Sequence, residues 1–512
     1  MSSKQISPDP DGISRRTTGD SFARGYLWSL GATALPLVSA FLASLIIARW
    51  MGPGTVGLIS LTQAVVTIFL IIAKFGVEGA ASRLASEYQV SAPWRIPRLV
   101  RLSTSLRLVF TLPVAAAASL LAPHLARLFD DASLLPLFRM GGLLVVAVSL
   151  FEYTGLVILG LKRFRLLFGM RAAMLVIRIG LVLSASMLAM GAVAVMGAYV
   201  VSALLPGIVA LLALLLIKPG EMPSFDREPV FRRLVSLSVP LAVSGASVTI
   251  YSLLDKIMLG YFSEASQVGL YAMARNIVET SLFPTFALVM TLRPVLASAH
   301  TSGDKKRCSN LVHRSLGGSF FFAAAVVVVL ACLSKPLVVG LYTKEFMKSA
   351  ELLLLFLPLI VMRSIGAVIL PGLIAVEKAG MYAKLTLTGA LLNFVINAIL
   401  IPRWGAVGAV VATLASYLPI ELLGLREIGR SFGGLWRRGD MTRLLKTVAI
   451  GGIMVMLYLW LAPSPESFVV TILHACALTV LFAILMVALG VVSIEEMRGL
   501  LASLRPVRRE TN

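Results

Sequence analysis

The chain has 512 residues, of which 58% are hydrophobic and only 14% charged, with a mean hydropathy of +0.91. A water-soluble protein carries about 45–50% apolar and 25% charged residues, so this composition excludes an ordinary soluble enzyme and calls for lipid to cover the excess apolar surface. The net charge of +21 would suit nucleic acid in a soluble chain; here the basic residues fall between apolar runs, and the charge asymmetry of a membrane protein explains them without a nucleic-acid partner.

Residues 1–22 are polar, with Pro, Ser and Arg, and read as a disordered cytosolic tail with no cleavable signal peptide. Apolar stretches of spanning length then recur near 26–48, 56–77, 103–123, 141–161, 172–190, 195–217, 237–258, 268–291, 315–333, 352–375, 383–401, 405–424, 444–462 and 468–492. The fold class expected is all-α and polytopic, with about 14 transmembrane helices. Trp50, Trp404 and Trp460 fall at expected span ends, where interfacial aromatics belong.

With the N-terminus inside, Lys and Arg concentrate in the inside loops, among them Arg95/Arg98/Arg101, Lys162/Arg163/Arg165, Lys305/Lys306/Arg307 and Arg437/Arg438. The opposite topology would invert that ratio, so both termini are expected in the cytoplasm, and the basic loops read as orientation signals and contacts to anionic membrane lipids. The outside loops are short, and the longest, near 334–351, has no room for a catalytic domain. Cys308, Cys332 and Cys476 share no spacing pattern, and the four histidines are scattered, so neither a disulfide framework nor a metal site is expected.

The sequence repeats itself. Met51-Gly52 and then Val56-Gly57-Leu58 join the first span to the second; Met258-Leu259-Gly260 and then Val268-Gly269-Leu270-Tyr271 join the seventh to the eighth. The offset between Gly57 and Gly269 is about 212 residues, and Gly197-Ala198 against Gly408-Ala409 gives about 211. Pro36-Leu37 and Pro240-Leu241 form a third match. Each half holds an even number of spans, so the copies are parallel. The expected organisation is a six-helix repeat over 23–217, a cytosolic linker over 218–236, a second six-helix repeat over 237–425, a cytosolic loop over 426–443, and two extra helices with a cytosolic tail over 444–512. Proline inside a helix removes a backbone donor and kinks it. Pro36 and Pro240, at matching places, are therefore candidate gate hinges, although proline is common in membrane helices in general.

Charge at mid-bilayer costs about 2.5–3.5 kcal/mol per residue on insertion scales and must face protein, water or cargo. The deep charges here are mostly basic: Arg171 and Arg178 two turns apart on one face, Arg275, Arg363, and Lys74 near an inner end. Glu152, Asp255 and Glu279 are the deep acids, candidates for a coupling ion. Arg275–Glu279 and Lys74–Glu78 stand at i,i+4 spacing and would neutralise one another as structural pairs. Lys74, Arg107 and Lys384 lie close enough to helix ends to snorkel. Arg178 and Arg363 have no partner in their own helices. Several arginines with few acids suit an anionic cargo, because guanidinium binds phosphate bidentately and stays charged. No nucleotide-binding loop, zinc-helix motif or dinucleotide fingerprint occurs, so no cofactor is expected and the energy must come from a gradient or downhill flow.

Asp255-Lys256-Ile257-Met258-Leu259-Gly260 with Val268-Gly269-Leu270-Tyr271, Ala48-Arg49-Trp50-Met51-Gly52 with Val56-Gly57-Leu58, and Asn393 through Ile401-Pro402 to Gly405-Ala406-Val407-Gly408-Ala409 together resemble the polysaccharide-export flippases. These belong to the multidrug, oligosaccharidyl-lipid and polysaccharide exporter superfamily. The resemblance implies a non-enzymatic flippase in the bacterial inner membrane that moves a polyprenyl-diphosphate-linked oligosaccharide outward by alternating access. It also implies a V-shaped bundle with a cationic cavity, and a place beside glycosyltransferases and a polysaccharide polymerase in surface polysaccharide, exopolysaccharide or O-antigen synthesis. The substrate-binding set expected is Arg178, Arg275, Arg363, Arg171 and Lys74. The alternatives are a cation-coupled multidrug or small-molecule antiporter of the same superfamily and a lipid II flippase; a membrane-embedded enzyme is disfavoured by the short outer loops.

Overall fold

Two glycines divide the longest helices of this chain. In a computed structural model that describes residues 11–217, 229–432, 439–461 and 467–491, α1 (Asp11–Lys74) breaks at Gly52, which has φ 72° and ψ 178°. α13 (Ala379–Phe432) breaks at Gly405, with φ 54° and ψ −130°. Both angles lie where a β-carbon is strained, so glycine is what allows the chain to turn back. Exposed Trp50 and Trp404 stand beside the two breaks.

The remaining helices are α2 (Val77–Ser91), α3 (Ile96–Leu120), α4 (Ala122–Leu128), α5 (Leu134–Gly160), α6 (Phe164–Met187), α7 (Gly191–Leu215), α8 (Val230–Phe262), α9 (Ala265–Ser281), α10 (Phe283–Thr301), α11 (Lys305–Leu341), α12 (Met347–Ala375), α14 (Asp440–Leu461) and α15 (Phe468–Ala488). Ten helices among the described residues are long and apolar enough to cross a membrane. The apolar part of α1 is 44 residues long and that of α13 is 53; at 1.5 Å per residue each exceeds twice the roughly 30 Å of a bilayer core. Each therefore supplies two passes. The chain is an all-α, multi-pass membrane protein.

The chain divides into two units. The first comprises Met1–Trp50 with Thr62–Ala246, the second Met51–Leu61 with Ser247–Asn512. In the first, α5 is central and lies against α2, α3 and α7, and α6 lies against α7. Small residues on α5 let the helices approach: a β-carbon on Gly160 would meet the Ser82 backbone, and one on Gly142 the Ala115 carbonyl. In the second, α12 lies against α9, α10, α11 and α13, and α14 and α15 lie against α11. The α11–α14–α15 contact has an apolar core of Val328, Leu333, Met454, Leu478 and Phe482, flanked by hydrogen bonds between His313 and Asp440 and between Tyr458 and His474, both at 2.8 Å.

One expected segment differs. Helix α1 begins at Asp11, so part of the segment expected as a disordered tail is helical; an acidic residue at a helix start favours the helix dipole. Residues 1–10 of that tail, 218–228 of the linker, 433–438 of the 426–443 loop with its Arg437/Arg438, and 492–512 of the final tail lie outside the described residues.

Candidate functional site

The first unit forms a half-open cavity of about 560 Å³ lined by three basic side chains, Lys74, Arg171 and Arg178, and two acidic ones, Glu78 and Glu152. Pro36, Gln63 and Tyr199 also line it. Arg171 and Arg178 reach it together because they sit two turns apart on α6, on one face.

The acids are neutralised across helices rather than along one. Lys74 Nζ lies 2.5 Å from Glu152 Oε2 on α5. Glu78 Oε2 lies 2.7 Å from Arg107 NH1 on α3. The expected Lys74–Glu78 pair is therefore corrected. Phe75 (φ 41°) and Gly76 (φ 68°) interrupt the helix between them, and Glu78 belongs to α2. Arg107 does not snorkel either: it is 2% exposed, and besides Glu78 it donates to the carbonyls of Ala73 and Ser149.

Once those two pairs are formed, Arg171 and Arg178 remain. Arg171 NH1 donates to the Ala32 carbonyl at 2.9 Å, and its buried Nε has no hydrogen-bond partner. Arg178 Nε donates to Ser202 Oγ at 3.2 Å, and its guanidinium carbon stands 4.7 Å from the centre of the Tyr199 ring. Among the described residues neither arginine forms a salt bridge. The site is thus a cavity with two guanidiniums outside any salt bridge, Arg171 within electrostatic reach of Glu152 and Arg178 fixed by a hydroxyl and an aromatic face.

In the second unit the remaining sequence candidates form a different arrangement. Asp255 on α8 is 2% exposed and receives five polar contacts: Tyr271 Oη at 2.8 Å, Arg275 NH1 at 2.8 Å and Thr413 Oγ1 at 2.9 Å on Oδ2, and Asn393 Nδ2 at 3.1 Å and Asn397 Nδ2 at 2.8 Å on Oδ1. This network joins α8, α9 and α13. Arg275 also approaches Glu279 at 3.6 Å, the i,i+4 pair expected, and Glu279 reaches on to Arg363 NH2 at 3.6 Å. Arg363 NH1 donates to Tyr417 Oη at 2.9 Å. Arg275 and Arg363 are therefore each held by an acid, whereas Arg171 and Arg178 are not. Pro240 lies in α8, and its match in the sequence repeat, Pro36, lies on the cavity wall.

Sequence reasoning did not single out Tyr199, Ser202, Gln63, Arg107 as an ion-pair partner, Asn397, Thr413 or Glu421. Asn393 and Asn397 at i,i+4 spacing in an otherwise apolar run are a signal that could have pointed to a buried acceptor.

The two ion pairs differ in what their loss should do. Lys74 and Glu152 side chains are 32% and 40% exposed, and such pairs contribute about 0–1 kcal/mol. Lys74→Ala should leave the yield and thermal stability of detergent-purified protein near wild type. Arg107→Ala strands buried Glu78 and should lower both sharply, at about 3–5 kcal/mol. Size-exclusion chromatography after a heat step reads the contrast.

Residues 22–300, more than half of the chain, match the family described as polysaccharide biosynthesis protein. The chain belongs to that family. Residues 240–399 also match the MatE family. The chain is 24% identical over 197 residues to a probable low-salt glycan biosynthesis flippase of Haloferax volcanii, covering 38% of this chain and 41% of that protein. It is 25% identical over 259 residues to the lipid II flippase MurJ of Bacillus subtilis, covering 47% of each. The chain thus spans less than half the length of these curated relatives. Among solved structures, lipid II flippase MurJ in an inward closed conformation superposes with a TM-score of 0.68 at 14% identity, covering 91% of this chain and 99% of that one. An inward-facing multidrug resistance MATE family transporter of the MOP superfamily gives 0.62 at 13% identity, covering 79% and 98%. These likenesses show the fold. All four of these proteins are named as flippases or transporters, none as an enzyme.

Proposed function

We propose that the chain is a flippase that carries a polyprenyl-diphosphate-linked oligosaccharide from the cytoplasmic to the outer leaflet of a bacterial inner membrane, with both termini in the cytoplasm. The observation that carries this reading is Arg178: a nearly buried guanidinium on the cavity wall, oriented by Ser202 and Tyr199, with no carboxylate partner among the described residues. A buried uncompensated cation is costly, and a diphosphate offers the charge and the bidentate oxygens that would offset it. Arg171 extends the same cationic track, and Lys74 joins it when cargo displaces Glu152. Arg275 and Arg363, already held by Asp255 and Glu279, take a supporting role. The names of the curated relatives, a glycan biosynthesis flippase and a lipid II flippase, agree in cargo class. Pro36 and Pro240 would serve as hinges, and glycosyltransferases and a polymerase would supply and consume the cargo.

A small-molecule antiporter would be expected to offer free acids to a cationic substrate; the two acids on this cavity, Glu78 and Glu152, are each held by a cation. Lipid II shares the diphosphate, so the arginines do not separate it from other lipid-linked glycans. The test is complementation of two strains, one lacking its surface-polysaccharide flippase and one depleted of its lipid II flippase. The chain is expected to restore surface polysaccharide in the first. Arg178→Ala should abolish that rescue with membrane protein level unchanged, and Arg178→Lys should restore only part of it, because the fork geometry is lost. Normal polysaccharide with Arg178→Ala would sink the assignment, and rescue of the second strain alone would make lipid II the cargo.

A further inference from the structure

Three acids in the described residues are buried: Glu78, Asp255 and Glu421, at 9%, 2% and 7% exposure. Glu78 is held by Arg107 and Asp255 by Arg275. Glu421, on the second half of α13, has neither a hydrogen bond nor an ion pair among the described residues. Its surroundings hold room open for it. On α12, Arg363 and Gly366 stand one turn apart; on α13, Tyr417 and Glu421 do the same, so the two helices face each other in two rungs. In the first rung Arg363 donates to Tyr417. In the second, a β-carbon on Gly366 would stand 2.5 Å from Glu421 Oε1, so only glycine leaves the carboxyl its place.

The charged and titratable groups facing Glu421 are Arg363 from α12, and Tyr382 and Tyr417 from α13; Arg363 lies within its electrostatic reach but is bonded elsewhere, to Tyr417 and to Glu279 of α9. An ionised carboxylate taken from water without a partner is destabilised, and a proton relieves it. Arg275 is paired with Asp255 and Arg363 with Glu279, while Lys256 of α8 stands within electrostatic reach of both acids and makes the cations of this network three against two.

We propose that Glu421 is the proton-exchanging carboxyl of the second unit, and that its charge decides which acid Arg363 serves. With a proton on Glu421, Arg363 stays with Glu279 and Tyr417. When that proton leaves to water, the new carboxylate competes for Arg363, and Glu279 loses part of its hold. One proton thereby shifts a guanidinium between α9 and α13, which is the local event that a proton gradient would drive. The acids indicated by sequence for this role, Glu152, Asp255 and Glu279, are each committed to a cation.

The titration arm of the test is read on the protein alone; the coupling arm rests on the transport reading. Infrared difference spectra of the full chain in lipid vesicles across a pH series should show the carbonyl stretch of a protonated carboxylic acid that disappears as pH rises. Glu421→Gln should remove that band, Glu421→Asp should keep it, and Glu152→Gln and Glu279→Gln should leave it in place. A band unchanged in Glu421→Gln, or no such band in the wild type, overturns the assignment. Should Glu421→Gln fail to fold, Gly366→Ala keeps the acid but displaces its carboxyl, and an unmoved titration there overturns it equally. In cells, a proton ionophore should lower wild-type polysaccharide export severalfold and leave Glu421→Gln at its own level. Equal sensitivity of the two removes the coupling role while leaving the flippase reading standing.

Discussion

Asp255→Ala is expected to remove nearly all folded protein from the membrane fraction. The substitution deletes the acceptor of five polar groups on two other helices and leaves Arg275, whose side chain is 9% exposed, without its counter-charge. Breaking a buried pair from one side costs about 3–5 kcal/mol, a large share of the roughly 5–15 kcal/mol that holds a typical protein folded. The orphaned amides of Asn393 and Asn397 add to it. Asp255→Asn should fall between, since it keeps the shape and loses the charge. The double variant Asp255→Ala with Arg275→Leu should recover part of the loss, because removing both charges is less destabilising than stranding one. Fluorescence-detected size exclusion after a temperature ramp measures all three. Wild-type behaviour of Asp255→Ala would show that the network is not what joins α8, α9 and α13.

The second large effect is expected at the glycines of the repeat. Gly57 and Gly269, the matched residues of the two Val-Gly-Leu motifs, meet each other inside the second unit. A β-carbon on Gly57 would fall on the Ala265 carbonyl and lie 3.1 Å from the Gly269 nitrogen; one on Gly269 would fall on the Pro53 carbonyl and lie 3.0 Å from the Gly57 nitrogen. Every atom in the way is backbone, which cannot rotate aside as a side chain can. Overpacking of this kind costs about 1–3 kcal/mol and rises with size. Gly57→Val and Gly269→Val should therefore each reduce monodisperse protein strongly, and Gly57→Ala less. The double alanine variant should depart from additivity, since both changes widen one crossing. Gly54, which would meet nothing within 4 Å, supplies the control: Gly54→Ala should behave as wild type.

Composition and spacing were enough to set the class of the molecule. Runs of apolar residues long enough to span, charges confined between them, and glycines at the turns leave a multi-pass helical protein as the one workable solution, because backbone groups in lipid must be satisfied within helices. They also placed Arg171 and Arg178 on one face, since that follows from helical period alone, and revealed that segments repeat. Which charges are free was settled by packing between helices. Period and spacing report neighbours along one helix, yet Lys74 found Glu152 instead of Glu78, Glu78 found Arg107, and Arg275 found Asp255 twenty residues away. Glu421 was invisible for the same reason: its isolation is a property of what α12 sets opposite it, an Arg363 already engaged and a glycine that leaves space. Charge in a membrane is governed by the partner across the helix contact, and that partner has no fixed place in the sequence.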